Sequence, residues 1–162
     1  MTTPTQRFIE ALRSLKAGDV GRLRQYAGLP LDTSVDGFDI FAGLWWPLRA
    51  KSQAAPRREV AWLIGKLYAF RPVPQAAGAT LARQVGRHRP RDEKAGRRYQ
   101  AKFDQLLLTP LARIETALQW ALTRIGGEES NLDWVVLTND LSLWEREETR
   151  TRWAREFLGL PG

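Results

Sequence analysis

The spacing of apolar residues along the chain predicts helices wherever a regular pattern is present. In "VAWLIGKLYAF", which starts at Val60, apolar side chains recur every three or four residues, and Pro56 and Pro72 bracket the pattern. A second pattern follows Pro110 and stops at Gly126, as expected for a helix with proline at its start and glycine just past its end. Strand-like alternation is nearly absent, so the sequence predicts an all-α protein.

Four further segments have helical patterns. They are residues 4–16, a short helix with Asp19 as its N-cap, "NLDWVVLTNDLSLW" from residue 131, and "EETRTRWAREFL" from residue 147. We predict a loop over residues 30–38 and a linker over residues 70–79, "FRPVPQAAGA". The linker divides the chain into an N-terminal helical lobe, residues 1–72, and a C-terminal helical lobe, residues 73–162. The expected architecture is a two-lobed helical bundle, or one compact unit.

Positive charge is concentrated in the middle of the chain. The protein has 162 residues and a formal net charge of +7. Residues 49–102 hold 14 Lys or Arg against 3 acids, whereas residues 1–48 are neutral and residues 103–162 have a net charge of −4. This distribution favours a cationic binding face over a uniformly basic surface, and it indicates a polyanionic partner.

Composition narrows the class of protein further. The chain has no cysteine, which excludes disulfides and thiolate metal sites and is compatible with a reducing cytoplasm. The N-terminal "MTTPTQRFIEALRSLK" lacks the apolar segment of a signal peptide. No stretch approaches the roughly 18 apolar residues that a membrane span requires. We therefore expect a soluble, cytoplasmic protein with no membrane partner.

The strongest functional signal is "ARQVGRHRPRDEKAGRRYQAK", residues 82–102, with eight Lys or Arg and only two acids. If a helix begins near Asp92, four cations share an arc of about 140°, and aromatic and leucine side chains occupy the opposite arc. The four cations are Lys94, Arg97, Arg98 and Lys102. Arginines of the preceding helix and turn would extend this stripe.

Two interpretations of this stripe are open. One is an ordinary solvated surface, and the other is a surface shaped to hold phosphates. No acid lies between Lys94 and Lys102. Because a solvated helix face normally mixes charges of both signs, we expect the repulsion within the stripe to be uncompensated until a polyanion binds. We therefore favour phosphate binding.

One catalytic pattern gives an alternative function. Arg83 and His88 form an R-x4-H pair, which resembles the catalytic motif of the all-helical HEPN ribonucleases. In that family the histidine acts in acid/base cleavage and the arginine stabilises phosphate charge. Gln84 departs from the residues common after that arginine, and Gly86 and Pro90 weaken the helix that would present the pair. A HEPN-like ribonuclease using Arg83 and His88 is the alternative hypothesis.

Other catalytic and metal sites have little support. His88 is the only histidine, so one chain cannot form a His-based metal cluster. No serine lies in a G-x-S-x-G pattern, and no phosphate-binding G-x-x-x-x-G-K-[ST] loop occurs. The acidic run from Glu145 to Glu148 is better interpreted as a helix start than as a magnesium site. We expect no catalytic residue, no metal and no cofactor.

The chain has seven tryptophans, and two of them adjoin basic residues. Trp45 and Trp46 lie just before Arg49 and Lys51, a combination that can stack nucleic-acid bases beside phosphate contacts. Packing in a core or interface is the favoured interpretation for both tryptophans.

Four segments occur in an order and spacing that is typical of one protein family. They are "LKAGDVGRLRQYAG" from residue 15, "AWLIGKLYAF" from residue 61, "AKFDQLLLTP" from residue 101, and "LDWVVLTNDLSLWEREETRTRWAREFL" from residue 132. Together they resemble the CasB family, the small subunit of the type I-E CRISPR surveillance complex Cascade. The resemblance runs from about Phe8 to Leu158, and the closing segment is its most specific part.

The resemblance implies a non-catalytic helical subunit that acts in antiviral defence. Its expected partners are the guide RNA, the target and non-target DNA strands, other Cascade subunits and a second copy of itself. Arg24 matches the arginine of the family's opening motif. Lys102 matches one member of a basic pair whose other position holds Ala101. Arg57 and Arg58 fall where the family has a basic helix start.

The residue pattern and the resemblance together give one set of predicted nucleic-acid-binding residues. They are Arg22, Arg24, Arg57, Arg58, Arg83, Arg87, Arg97, Arg98 and Lys102. A guided complex leaves the choice of sequence to base pairing, so such a subunit needs affinity for the sugar-phosphate backbone only.

Overall fold

The regular secondary structure of the described residues in this computed structural model is helical. The structure describes residues 2–29, 35–127 and 130–161, with the side chains of 35–39 excepted. The α-helices within these ranges are α1 (Pro4–Arg13), α2 (Ala17–Arg24), α3 (Val35–Lys51), α4 (Arg58–Phe70), α5 (Leu81–Arg87), α6 (Glu93–Leu108), α7 (Glu115–Arg124), α8 (Trp134–Ser142) and α9 (Glu147–Phe157). No strand forms in the same ranges, which confirms the all-α prediction.

Contacts between helices divide the chain into two compact units. The first unit is Met1–Val73 with Trp134–Ser142, and the second is Pro74–Asp133 with Leu143–Gly162. The first unit therefore contains α1 to α4 and α8, and the second contains α5, α6, α7 and α9. That two lobes fold as separate domains, with a boundary after residue 72, stays a prediction.

Helix α4 lies at the centre of the first unit. Its side chains at Val60, Ile64 and Leu67 are fully buried, and the helix packs against α2, α3 and α8. A helix that is apolar on several faces must be covered on several faces, which explains this central position. The predicted helix from Val60 is confirmed.

Helix α8 joins the first unit although it lies some sixty residues later in the chain. The indole N–H of Trp134 donates to the Val73 carbonyl at 2.7 Å, and the ring meets Tyr68 edge-on, with centroids 5.4 Å apart. The Thr5 hydroxyl donates to the Asn139 side-chain oxygen at 3.1 Å. These contacts attach α8 to α4 and α1.

In the second unit, one aromatic cluster joins α5, α6 and α9. The ring of Phe157 stacks on Phe103 with centroids 4.2 Å apart, and lies 6.2 Å from the ring of Tyr99. The Tyr99 hydroxyl donates to the Val85 carbonyl at 2.6 Å. The apolar side of α6 is therefore attached to both neighbouring helices.

The predicted loop over residues 30–38 is wrong from Val35 onward, where α3 begins. Residues 30–34 lie outside the described part of the chain. Later in α3, Phe41 is buried and packs edge-on against Trp62 of α4, with ring centroids 5.4 Å apart. We attribute the helix to such tertiary burial, which outweighs the turn-forming aspartate and glycine in this segment.

Two predicted helix starts are also corrected. Lys16, not Asp19, is the N-cap of α2, and Asp19 lies in the first turn. After Pro110 the chain first makes a 3₁₀ turn, Leu111–Arg113, and α7 begins only at Glu115. The apolar repeat correctly predicts which residues face the core. It does not specify where the α-helical hydrogen bonds begin.

The predicted linker contains no helix after Phe70, yet hydrogen bonds hold it in place. The backbone N–H of Gly78 donates to one carboxylate oxygen of Asp133 at 2.8 Å, and the Gln75 amide donates to the other at 3.1 Å. The backbone N–H of Ala76 donates to the Leu132 carbonyl at 3.0 Å. Asp133 therefore orders the segment that leads into α5.

Gly86→Ala tests the close contact between α5 and α9. A Cβ at Gly86 would overlap the backbone carbonyl of Phe157, so one helix must move. We expect a loss of about 1–3 kcal/mol in the free energy of unfolding, as for other overpacked cores. Chemical denaturation followed by circular dichroism measures it. The control is Gly18→Ala, where a Cβ meets open space within α2 and stability should rise by about 0.5–1 kcal/mol.

Tyr99→Phe tests the attachment of α6 to α5. Burial raises the pKa of Tyr99 to about 12, with Arg124 opposing the shift. The neutral phenol therefore contributes stability that is fully present below pH 10 and is lost as pH rises toward 12. We expect the variant to lose about 0.5–1.5 kcal/mol at neutral pH and to lack this alkaline loss. Urea unfolding at pH 8 and pH 11 measures both effects.

The matched control is Tyr68→Phe, which leaves Tyr99 in place and should keep the alkaline loss. If Tyr99→Phe keeps the alkaline loss, another group causes that loss. If the variant is also as stable as the original protein at pH 8, the Tyr99 hydroxyl does not stabilise the attachment of α6 to α5.

Candidate nucleic-acid interface

Helix α6 begins where the sequence predicts. The Asp92 carboxylate accepts a hydrogen bond from the backbone N–H of Ala95 at 2.8 Å, which satisfies one of the free N–H groups of the first turn. Gly96 follows because a Cβ there would lie 2.9 Å from the Pro90 carbonyl oxygen. The cap and the glycine together fix how α6 leaves the turn after α5.

The cations of α6 lie on the side opposite its buried side chains. The buried residues with side chains facing the core are Tyr99, Phe103 and Leu106. The exposed cations are Lys94, Arg97, Arg98 and Lys102. We call these four residues the α6 stripe. From first to last they span about 12 Å along the helix axis, which suits several phosphates and exceeds one small anion.

An acid compensates one member of the α6 stripe, contrary to expectation. The Arg97 guanidinium lies 3.8 Å from the Glu93 carboxylate one turn earlier, and both side chains are mostly exposed, at 70% and 86%. Exposed pairs of this kind contribute about 0.3–0.5 kcal/mol. A phosphate can therefore replace Glu93 at small cost, and the expectation of uncompensated repulsion is wrong for Arg97.

Helix α5 and the turn after it contain further arginines of the central basic segment. Arg83 is half-buried, and its guanidinium donates to the Leu160 carbonyl over a long 3.4 Å. Arg87 is exposed in the last turn of α5, one helical turn from Arg83. The Arg89 Nε donates to the Gly96 carbonyl at 3.3 Å and so ties the turn to α6. The structure thus brings these cations and the α6 stripe onto adjoining elements.

The remaining predicted cations belong to the first unit, where two of them have local partners. The Arg22 guanidinium lies 3.9 Å from the Asp19 carboxylate. The Arg24 Nε donates to the Ala69 carbonyl near the end of α4 at 2.9 Å. Arg24 therefore has a packing role between α2 and α4, which the sequence did not indicate.

Arg57 and Arg58 lie at the start of α4, and both are exposed. Arg57 is the N-cap residue, and its side chain makes no capping hydrogen bond. Because the first turn of a helix has a partial positive charge, two arginines there are unfavourable unless an anion is near. Glu59 in the first turn offsets part of this charge. The N-terminus of α4 is electrostatically suited to a phosphate.

The two residues of the R-x4-H pattern contact backbone carbonyls. His88 is the C-cap of α5, and its Nδ1–H donates to the Gln84 carbonyl at 2.8 Å, which leaves Nε2 as the free ring nitrogen. Arg83 makes the long contact with Leu160 described above. The pattern therefore has a structural role at the end of α5.

The acidic run at residues 145–148 forms a helix start, as predicted. Arg146 is the N-cap of α9, and Glu147 and Glu148 occupy its first turn. Within the described residues there is no group of three or more acidic or histidine side chains placed to hold a metal ion. None of the helices in these ranges has both the length and the apolar character needed to cross a bilayer.

The two adjacent tryptophans of α3 differ. The packing prediction is confirmed for Trp45, which stacks on Phe41 with centroids 5.4 Å apart and donates to the Pro56 carbonyl at 2.6 Å. Trp46 lies outside the core at 58% exposed, with its ring centroid 5.8 Å from that of Trp45, and packing at an interface stays a prediction for it. A flat aromatic surface is thus available beside the basic end of α3.

Comparison with solved structures identifies the fold. A CRISPR-associated protein of the Cse2 family from Thermus thermophilus has a TM-score of 0.73 and 25% identity, covering 97% of this chain and 99% of that one. The CasB proteins of M. ruber and Thermobifida fusca share the fold at TM-scores of 0.72 and 0.69. Their identities are 21% and 19%, with coverage of 97% and 96% of this chain and 93% and 95% of theirs.

Sequence comparison agrees with the structural one. No curated protein matches the chain significantly. The family model described as CRISPR-associated protein Cse2 matches residues 19–158, which include every predicted binding residue and all helices from α3 to α9. The chain belongs to the Cse2 family of CRISPR-associated proteins, also called CasB, a family of structural subunits of the CRISPR Cascade complex.

Proposed function

We propose that this protein is a non-catalytic, nucleic-acid-binding subunit of a type I-E Cascade complex that acts in the cytoplasm in antiviral defence. Its cations neutralise the backbones of the guide RNA, the target strand and the displaced strand. The observation that carries the proposal is the α6 stripe, four exposed cations on the side of α6 that faces away from the core.

The contacts of the α6 stripe support phosphate binding. Lys102 lies 5.8 Å from the centre of the Trp120 ring, which holds its long side chain in place. The ion pair at Arg97 is exposed and readily exchanged. Arg98 is exposed one residue later. These cations therefore give up only weak contacts when they bind a phosphate chain.

Backbone affinity alone is enough for the proposed role. In a guided complex base pairing selects the target, and formation of the R-loop is close to balanced in free energy. Lys and Arg that release counterions from a displaced strand lower the free energy of the open state without reading its sequence. The second copy of the chain and the neighbouring Cascade subunits are further parts of this proposal.

The HEPN-like ribonuclease using Arg83 and His88 remains a separate hypothesis, and no contact among the described residues favours it. His88 contacts the Gln84 carbonyl within α5 and Arg83 contacts the Leu160 carbonyl just after α9, and a structural role explains both contacts. In this hypothesis His88, the single histidine of the sequence, supplies the proton transfer that cleavage requires.

The triple variant Arg97→Glu, Arg98→Glu, Lys102→Glu tests the α6 stripe. Loss of three phosphate contacts, with repulsion added, should weaken binding of a labelled single-stranded DNA by at least about tenfold at low salt. Fluorescence anisotropy measures the affinity. Circular dichroism should show an unchanged helix content because all three side chains are exposed.

Two control variants make the test specific. Arg7→Glu, Arg13→Glu, Lys16→Glu changes the net charge equally, but at exposed positions around α1, and should weaken binding much less. His88→Ala should leave binding intact, and RNA integrity should be the same with either protein. Equal losses in the two triple variants would indicate that total charge, and not the α6 stripe, governs binding.

A further inference from the structure

A groove of about 680 Å³ opens beside the C-terminal half of α6 in the second unit. The helix ends at Leu108, the chain turns at Pro110, and the 3₁₀ turn leads into α7. Because the chain turns before α7 begins, side chains of both helices line the space between them. Lys102 and Leu108 lie on the α6 side, and Arg113 and Trp120 lie on the other side.

The groove exposes an apolar side chain that the fold does not use. Leu108 is 77% exposed, the largest fraction among the exposed large apolar side chains of the described residues. Its neighbours in the groove include Pro110 and the half-buried ring of Trp120. A leucine exposed beside other apolar groups is typical of an interaction site. An isolated exposed leucine is common on protein surfaces and does not indicate a binding site.

The charged residues that line the groove indicate what kind of partner would fit it. Lys102 lies on one wall and Arg113 on the other, and no carboxylate of the described chain lines the space. An occupant with an apolar side chain between two acidic groups therefore matches both the apolar lining and the two cations.

A nucleic-acid strand fits the groove less well. Bases bind single-strand sites by stacking on open aromatic faces. Among the described residues, Trp120 is the only aromatic in the lining, and its ring already lies 5.2 Å from Tyr99 and 5.8 Å from the Lys102 amine. Most of the remaining surface is leucine, proline, alanine and threonine, which packs against side chains of a peptide.

We infer that the groove between α6 and α7 docks an acidic, amphipathic peptide segment of another protein subunit of the complex. An apolar side chain of the segment covers Leu108, and its carboxylates face Lys102 and Arg113. This inference depends on membership of the family and on the groove. It shares Lys102 with the proposed nucleic-acid binding and does not depend on Arg97 or Arg98.

Leu108→Asp and Arg113→Glu test the docking site. Each purified variant is titrated into a guide-loaded complex prepared without this subunit, and its association is followed by biolayer interferometry. We expect the apparent affinity to fall by about 30-fold for Leu108→Asp, the effect of losing an interface hot spot. The apparent affinity of Arg113→Glu should also be lower than that of the original protein. The matched control is Leu158→Asp, at a leucine that is 54% exposed and lies outside the groove, and its affinity should be unchanged.

Single-stranded DNA binding by the isolated variants separates this inference from the proposed function. Both groove variants should bind a labelled single strand nearly as well as the original protein. If Leu108→Asp loses single-strand affinity and keeps its affinity for the complex, the occupant is nucleic acid and the inference is wrong. If neither measurement changes, the groove is not a docking site.

A photo-crosslinking residue identifies the occupant directly. Leu108→benzoylphenylalanine in the assembled complex should crosslink to an acidic segment of a different protein subunit, identified by mass spectrometry. A crosslink to guide RNA, to DNA or to a second copy of this chain would overturn the inference.

Discussion

The position of the α6 stripe depends on how the apolar side of α6 is buried. Phe103 stacks on Phe157 of α9, and the Tyr99 hydroxyl reaches the Val85 carbonyl of α5. A helix attached in this way on one side must present its other side to solvent, and in α6 that side holds the α6 stripe. The packing of three aromatic residues therefore determines where the positive charge lies. Because the attachment involves two neighbouring helices, rotation of α6 about its axis would break both contacts.

Close backbone contacts complete this arrangement. Gly86 lets α5 approach the end of α9, and Gly96 lets the carbonyl of Pro90 approach α6. Arg89, one of the basic residues of the central segment, donates to the Gly96 carbonyl and so stabilises the turn itself. Some arginines of a basic segment thus fold the protein while others remain available. The same division holds in the first unit, where Arg24 binds the Ala69 carbonyl and Arg57 is exposed.

Local patterns in the sequence predicted many of the helices and their buried faces, because helix ends and helix faces depend on residues close in sequence. The start of α6 near Asp92, the two sides of α6 and the helix of Val60 were accessible from local patterns in the sequence. The start of α3 could not be predicted in this way, because the residues around Val35 favour a turn. This helix is stabilised by contacts between residues distant in sequence, such as Phe41 with Trp62. The partner of Arg24 and the exposure of Trp46 also depend on tertiary packing. No spacing rule specifies which side of a residue another helix will cover.

The groove beside Leu108 is another feature that spacing in the sequence does not predict. Its lining residues lie close in sequence, but only the turn at Pro110 and the late start of α7 create the space between them. A continuous helix from residue 111, as the apolar repeat predicts, would have hidden this feature.

The salt dependence of single-strand binding tests the central claim most directly. The affinity of the isolated protein for a single-stranded DNA of mixed sequence should be measured between low and physiological salt. About four phosphate contacts predict a slope near −3 for the logarithm of the binding constant against the logarithm of the salt concentration. A flat dependence, or no binding at low salt, would contradict the account.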